Sequence, residues 1–311
     1  MIKIQQNIPL AQFTTFKIGG PAKFFCEVKD EKELAEALNY AKKNNLEVFV
    51  LGGGSNILVS DEGFNGLVIK LLNSYFVIHN SYMECGAGLM LSEAVKIATQ
   101  NSLSGLEWAA GIPGTVGGAI RGNAGIPAGC MGDNIKSVKA YVTMSEAWQS
   151  LSNKECKFSY RDSIFKENKD LIIVLAVLKL KKGEKKEIEK KIKEIIENRL
   201  KVVHPNPKEP SSGSFFKNPK VSNKKLIASF EKDTGQKVID SKIPAGWLID
   251  EVGLRGKKIG GAQVSEKHAN FVVNIGNATA QDIVMLSSFI KMKVRDELGV
   301  QLQEEIQYIG F

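Results

Sequence analysis

Apolar positions along this chain switch between two spacings. AKFFCEV (22–28) is a run of strand-forming residues and predicts a strand. Asp30 and Glu33 follow at capping-box spacing, and Leu34, Ala37, Leu38 and Ala41 then recur on one helical face. EVFVLGGG returns to strand and runs into glycine. The alternation repeats in part around a helix carrying Leu91, Ala94, Val95 and Ala98. GLVIKLL, YFVIHN, SVKAYV and LIIVLAVLKL predict further strands, so strands dominate from about 65 to 182. KKGEKKEIEKKIKEIIENRLK (181–201) mixes both charges, while Ile188, Ile192, Ile195, Ile196 and Leu200 keep helical spacing. This predicts an amphipathic helix with a solvated charged face.

VHPNPKEPSSGS then marks a break. Beyond it the pattern reads helix, strand, helix, strand. Thr279 is placed to cap a helix carrying Ile283, Val284, Leu286, Phe289, Ile290 and Val294, and Gly299 to end it. QEEIQYIGF predicts a closing strand. The fold class is α+β, with a larger region over 1–200, divided near 68, and a smaller one over 201–311.

Composition narrows the function classes. The 311 residues suffice for two or three cores. No apolar run reaches the roughly 18 residues of a membrane span, and MIKIQQNIPL lacks the apolar stretch of a signal peptide, so a cytoplasmic protein is expected. Cys26, Cys85, Cys130 and Cys156 are widely separated, as are His79, His204 and His268. Neither a metal site nor a disulfide framework is expected. A net charge of +8 is compatible with nucleic acid, an acidic surface or phosphorylated small molecules. Aromatic residues do not interleave with a basic stripe, which argues against nucleic acid.

Two segments are dense in glycine. LGGGSNILVS (51–60) follows a predicted strand; its glycines permit a sharp turn and close approach to an anion, or merely a tight loop. It is neither a dinucleotide-binding GxGxxG turn nor a P-loop. GLEWAAGIPGTVGGAIRGNAG (105–125) is apolar yet glycine-rich, which disfavours a regular helix or a central strand. Together they suggest a cradle for a diphosphate cofactor, the alternative being close packing of a loop on a helix. In GSFFKNP (213–219), Ser214 reads locally as a turn residue before a short apolar strand, or as a chemical group.

Seven segments occur in order: TTFKIGG (14–20), LGGGSNILVSDEGFNGLVI (51–69), AGIPGTVGGAIRGNAG (110–125), FSYRDSIFK (158–166), GSFFKNP, IGGAQVSEKHANFVVN (259–274) and LQEEIQYIG (302–310). This ordered set resembles the UDP-N-acetylenolpyruvoylglucosamine reductase family over nearly the whole chain. The resemblance implies a region of the vanillyl-alcohol-oxidase type binding FAD non-covalently, then a substrate-binding domain. It implies reduction of FAD by NADPH and hydride transfer to the enolpyruvyl group of a UDP-sugar in peptidoglycan precursor synthesis. It carries catalytic roles onto Arg161, Ser214 and Glu305, with Ser214 as proton donor. Glu304 is adjacent, and the register rests on Leu302 and Ile306. Gly52, Gly53, Gly54, Ser55 and Asn56 are expected at the diphosphate. Gly111, Pro113, Gly114, Thr115, Gly118, Asn123 and Ala124 are expected along the rest of FAD. Lys217, Asn218, Arg255 and His268 are candidates for the UDP-sugar, His268 equally for a structural role.

The residue types suit the chemistry. An arginine fork matches a carboxylate on which negative charge develops. A permanently charged guanidinium is a poor proton donor, whereas a serine hydroxyl donates when its alkoxide is stabilised or reprotonated, with a carboxyl group assisting. The chain resembles the shorter version of the family, without an inserted substrate-clamping tyrosine. Arg121 is unusual for the cofactor segment and is expected to meet a phosphate or solvent. Covalent flavin attachment is disfavoured because neither glycine segment contains histidine, although Cys130 lies close to the second. No metal, membrane, nucleic-acid or obligate protein partner is expected.

Overall fold

The computed structural model describes residues 2–202 and 209–311. Residues 203–208 of the proline-rich break, with His204, lie outside the described residues. The chain forms two compact units. One holds residues up to Ile8 with Ala22–Gly54 and Asn65–Leu200; the other holds Pro9–Pro21, Ser55–Phe64 and the chain from Lys201 on. The sequence reading kept 1–200 together, whereas two short segments of that stretch belong with the second unit.

Among the described residues, the first unit carries two larger sheets and two short two-stranded ones. One orders its strands Gln5–Pro9, Pro21–Val28, Phe64–Leu71 and Val48–Leu51, the last two parallel. The helix Glu31–Lys43 starts at Asp30, whose carboxylate accepts from the Glu33 N–H at 2.8 Å, and its Leu34, Ala37 and Ala41 are buried. The second sheet is antiparallel: Ala147–Ser152, Ile135–Val142, Leu171–Lys179, Tyr82–Gly86 and Phe76–His79. Its central strand is LIIVLAVLK. Its near-continuous apolar character follows from its position, since a central strand covered on both faces needs apolar residues on both. The helix Leu91–Gln100 buries Leu91, Ala94, Val95 and Ala98, as its spacing requires. Burial pushes the Cys26 and Cys85 thiols up to about 12 and that of Cys156 to about 11, so they behave as inert core residues.

The charged helix is Lys185–Val202, and only part of its apolar row is covered. Ile188 is buried, while Ile196 and Leu200 are exposed. The helix keeps the period its sequence predicts, but a period does not show how far along the helix a partner surface extends.

The second unit contains an antiparallel sheet of Ser211–Ser214, Phe271–Asn274, Ala262–Val264 and Lys258–Ile259, with helices Lys224–Thr234, Ala245–Glu251 and Ala280–Leu298. These elements are more numerous and shorter than the expected helix, strand, helix, strand. The longest helix opens with a Thr279–Asp282 capping box and ends at Gly299 in the left-handed conformation. Asp61 adds a second cap, its carboxylate accepting from the N–H groups of Ala280 and Gln281. The closing strand Gln307–Ile309 pairs in parallel with Ile57–Val59. Asn274 Nδ2 donates to the Phe16 carbonyl at 3.1 Å. These contacts incorporate the 9–21 and 55–64 segments into this unit. Among the described residues no helix is long and apolar enough to cross a membrane, and no group of His, Cys, Asp and Glu could hold a metal ion.

Candidate active site

In the first unit the two glycine segments pack directly against each other. A Cβ on Gly53 would stand 2.5 Å from the Gly114 Cα, and one on Gly52 would stand 2.7 Å from Thr115 Oγ1. The packing explanation therefore holds for these two positions. It has a second effect: with Gly53 against Gly114 and Gly52 against Thr115, the two glycine-rich backbones adjoin as one strip. Gly111 has φ +76° and Gly114 φ +115°, values that favour glycine. Gly118 is exposed, and a Cβ there would meet only Thr115 Oγ1 at 3.5 Å. Thr115 itself is buried and caps the helix Val116–Arg121 through the Gly118 N–H. Asn123 is also committed: Nδ2 donates to the Ser159 carbonyl and Oδ1 accepts from the Gly132 N–H. Pro113 is exposed and Ala124 half-buried on the same segment.

Two cations border this strip. Lys70 Nζ donates to the Gly52 carbonyl at 3.3 Å, and Arg199 Nη2 to the Gly111 carbonyl at 3.3 Å. Burial lowers the pKa of both, with Glu27 opposing the shift at Lys70. An apolar, glycine-lined strip edged by cations fits a flat ligand bearing a diphosphate. In the sequence Arg199 is one of many charges on the 181–201 helix, and nothing there separates it from its solvated neighbours. Arg121 closes its short helix half-buried; burial lowers its pKa and Asp162 opposes that shift.

Arg161 also belongs to the first unit. Ser159 and Asp162 exchange both backbone hydrogen bonds, so Tyr160 and Arg161 form the tip of a tight turn. Arg161 stands there with φ +57°, a strained conformation for a residue with a Cβ. Its Nη2 donates to the Gly125 carbonyl at 2.7 Å, and its carbonyl accepts from Lys166 Nζ at 3.0 Å. The turn is thus fixed to the end of the second glycine segment.

Ser214 and Glu305 both belong to the second unit. Ser214 ends the strand Ser211–Ser214, rather than preceding a strand as its local sequence suggested. A register shift falls between Ser211 and Ser214, and Gly213 within it has φ +78° with open space where a Cβ would be. The glycine is needed for conformation, and the bulge re-aims Ser214. Phe215 and Phe216 follow, both almost wholly buried, with ring centroids 5.0 Å apart. Burial of each is worth roughly 1.5–3 kcal/mol and anchors the segment. The Phe215 carbonyl accepts from the Glu305 N–H at 2.8 Å, and the Lys217 N–H donates to the Gln303 carbonyl at 2.9 Å. Ser214 and Glu305 are thereby held by adjoining backbones.

The neighbouring acid is distinguished by its contacts. Glu304 pairs with Lys291 at 2.5 Å, on the side where Leu302 and Ile306 are buried. Alternation along the extended segment directs Glu305 to the opposite side. The Glu305 carbonyl accepts from Asn56 Nδ2 at 3.2 Å. The Asn56 side chain, expected at the diphosphate, is used in holding the glutamate; Ser55 lies in the same unit.

The other candidates are also engaged. Asn218 Oδ1 accepts from the Ala245 N–H at the start of a helix. Arg255 forks onto Asp250 and donates through Nη1 to the Glu266 carbonyl. His268 Nδ1 accepts from the Asn270 N–H at 3.2 Å, which puts the ring proton on Nε2; burial, the largest influence, lowers its pKa.

Comparison with known proteins finds matches in both the N-terminal and C-terminal parts of the chain. Residues 22–146 match an FAD binding domain, and residues 205–309 match the C-terminal domain of UDP-N-acetylenolpyruvoylglucosamine reductase. The reductase of Carboxydothermus hydrogenoformans is 41% identical over 99% of this chain and 94% of its own. That of Solibacter usitatus is 34% identical over 99% and 97%. The crystal structure of the Thermus caldophilus enzyme superposes with a TM-score of 0.79 at 33% identity, covering 99% of this chain and 100% of that one. With both regions matched and full-length relatives above 30% identity, this chain belongs to the UDP-N-acetylenolpyruvoylglucosamine reductase family and is an FAD-dependent oxidoreductase.

Proposed function

We propose that this chain reduces the enolpyruvyl group of UDP-N-acetylglucosamine enolpyruvate to UDP-N-acetylmuramate, with NADPH as reductant. The observation that carries this reading is Ser214, re-aimed by a bulge and held through Phe215 to the backbone of Glu305. The glycine strip, with Lys70 and Arg199 at its edges, would hold FAD; contacts from Thr115 and Asn123 would come from their backbone, since their side chains are committed. FAD held there would supply the hydride for this reduction, with NADPH as its source. Hydride addition at the methylene carbon places negative charge on the enolic carboxylate, which the Arg161 guanidinium stabilises. Ser214 Oγ–H then protonates the adjacent carbon, and Glu305 assists in restoring the hydroxyl proton. One hydride and one proton are added across the double bond, which balances the reaction. Lys217, Asn218, Arg255 and His268 are assigned to the UDP-sugar.

The test is anaerobic. NADPH should bleach the flavin absorbance of the holoprotein, and adding the enolpyruvyl UDP-sugar should restore it promptly. Bleaching without restoration would retain the flavoenzyme and reject the substrate.

The strained turn supplies a second prediction. A left-handed conformation costs an L-residue about 1–2 kcal/mol that glycine does not incur, while the hydrogen bond from Nη2 returns about 1 kcal/mol. Arg161→Gly is therefore expected to melt within a few degrees of the parent while losing roughly 100-fold or more in kcat. A glycine variant with parental kcat would remove Arg161 from the chemistry.

A further inference from the structure

Asn270 is buried at 4% exposure, between the histidine segment and the strand Phe271–Asn274. That strand pairs with Ser214 at Phe271 and goes no further, so Phe216 lacks a strand partner on this side. The Asn270 carboxamide replaces it. Its Oδ1 accepts from the Phe216 N–H at 2.9 Å, and its Nδ2 donates to the Phe216 carbonyl at 2.8 Å. A carboxamide offers an acceptor and a donor side by side, as a backbone edge does. The Asn270 carbonyl meanwhile accepts from the Phe215 N–H at 2.7 Å, and the Phe215 carbonyl takes the Glu305 N–H. One asparagine therefore holds Phe215, which binds the Glu305 N–H, and Phe216, which bridges to Glu304.

We propose that Asn270 is a positioning residue that sets Ser214 and Glu305 in common register through the Phe215–Phe216 backbone. It touches neither reactant, and the proposal rests on the assignment of proton transfer to Ser214 and Glu305. Its effect falls on the step in which those two groups act. A misplacement of about 1 Å is enough to cost roughly 100-fold in rate.

The test compares Asn270→Ala, which loses both side-chain bonds, with Asn270→Asp, which keeps the shape and the acceptor but loses the donor. In anaerobic stopped flow, both holoproteins should bleach with NADPH within about two-fold of the parent. Flavin reoxidation by the enolpyruvyl UDP-sugar should slow roughly 100-fold in the alanine variant and roughly 10-fold in the aspartate variant, with KM changed less than about three-fold. Alanine-variant reoxidation at the parental rate would overturn the proposal. So would equal loss in both half-reactions by the aspartate variant, since that indicates general structural damage.

A second readout does not depend on turnover. Amide hydrogen exchange in Asn270→Asp should rise at Phe215–Phe216 and also at Glu305. A rise at the phenylalanines alone would overturn the coupling. If the parent itself showed no reoxidation, the assigned substrate would fail, and the exchange pattern would still decide the structural tie.

Discussion

Ser214→Ala is expected to bleach with NADPH as the parent does and then to recover its flavin colour 100- to 10,000-fold more slowly when the enolpyruvyl UDP-sugar is added, the range lost with a positioned proton donor, roughly 10²–10⁴. That is about 3–5 kcal/mol of barrier. The substitution should leave the fold intact. The segment is anchored by Phe215 and Phe216, and the bulge depends on Gly213, so removing one half-buried hydroxyl disturbs neither. Stopped-flow absorbance of the two half-reactions checks this. Normal reoxidation would assign the proton to another donor and return Ser214 to the role of a bulge residue.

Gly53→Ala is expected to lose FAD while the second unit stays folded. The added methyl would stand 2.5 Å from the Gly114 Cα, with the Gly114 carbonyl carbon at 3.1 Å, and backbone cannot swing aside as a side chain can. Overpacking of this kind costs roughly 1–3 kcal/mol. Relieved by separating the two glycine segments, it should weaken FAD about 10-fold or more, about 1.4 kcal/mol or above. Fluorimetric titration of apoprotein with FAD measures it. The informative partner is Gly118→Ala, where the methyl meets only Thr115 Oγ1 at 3.5 Å and a helical site gains about 1 kcal/mol from alanine. If FAD lies along this strip, Gly118→Ala raises the melting temperature of the apoprotein yet weakens FAD. Unchanged affinity would move the cofactor away from Gly118.

The parts of this molecule legible in its sequence are those set by neighbours in the chain. The Asp30 cap, the helix from Thr279 to Gly299 and the double-sided apolar strand at 171–179 all follow from spacing and side-chain type over a few residues. Ser214 was ambiguous because a bulge is defined by the opposing strand, and Phe271 is remote in sequence. Asn270 carries no local signal, and the glycine segment marks Asn56 for an anion rather than for a distant backbone. An asparagine that binds a distant backbone looks like any loop asparagine until the fold brings that backbone to it. Glu304, next to the glutamate named by the resemblance, likewise has in Lys291 a partner that spacing does not reveal. The glycine segments were recognised as special, but their first reason is mutual packing, which one segment read alone does not reveal.

The parallel pairing of Gln307–Ile309 with Ile57–Val59 sets an order of events during synthesis. Asn56 leaves the ribosome 249 positions before Glu305. A nascent chain builds outward from its N-terminus, so the local elements of the first unit can form while the Ile57–Val59 edge still lacks its partner. That edge is apolar and open to wrong pairing in the interval. A chain cut short before residue 305 carries no Glu305, and the Asn56 carboxamide has no Glu305 carbonyl to bind. The second unit thus waits on its own last-made strand, and under the proposed mechanism Ser214 gains its glutamate only once that strand is in place.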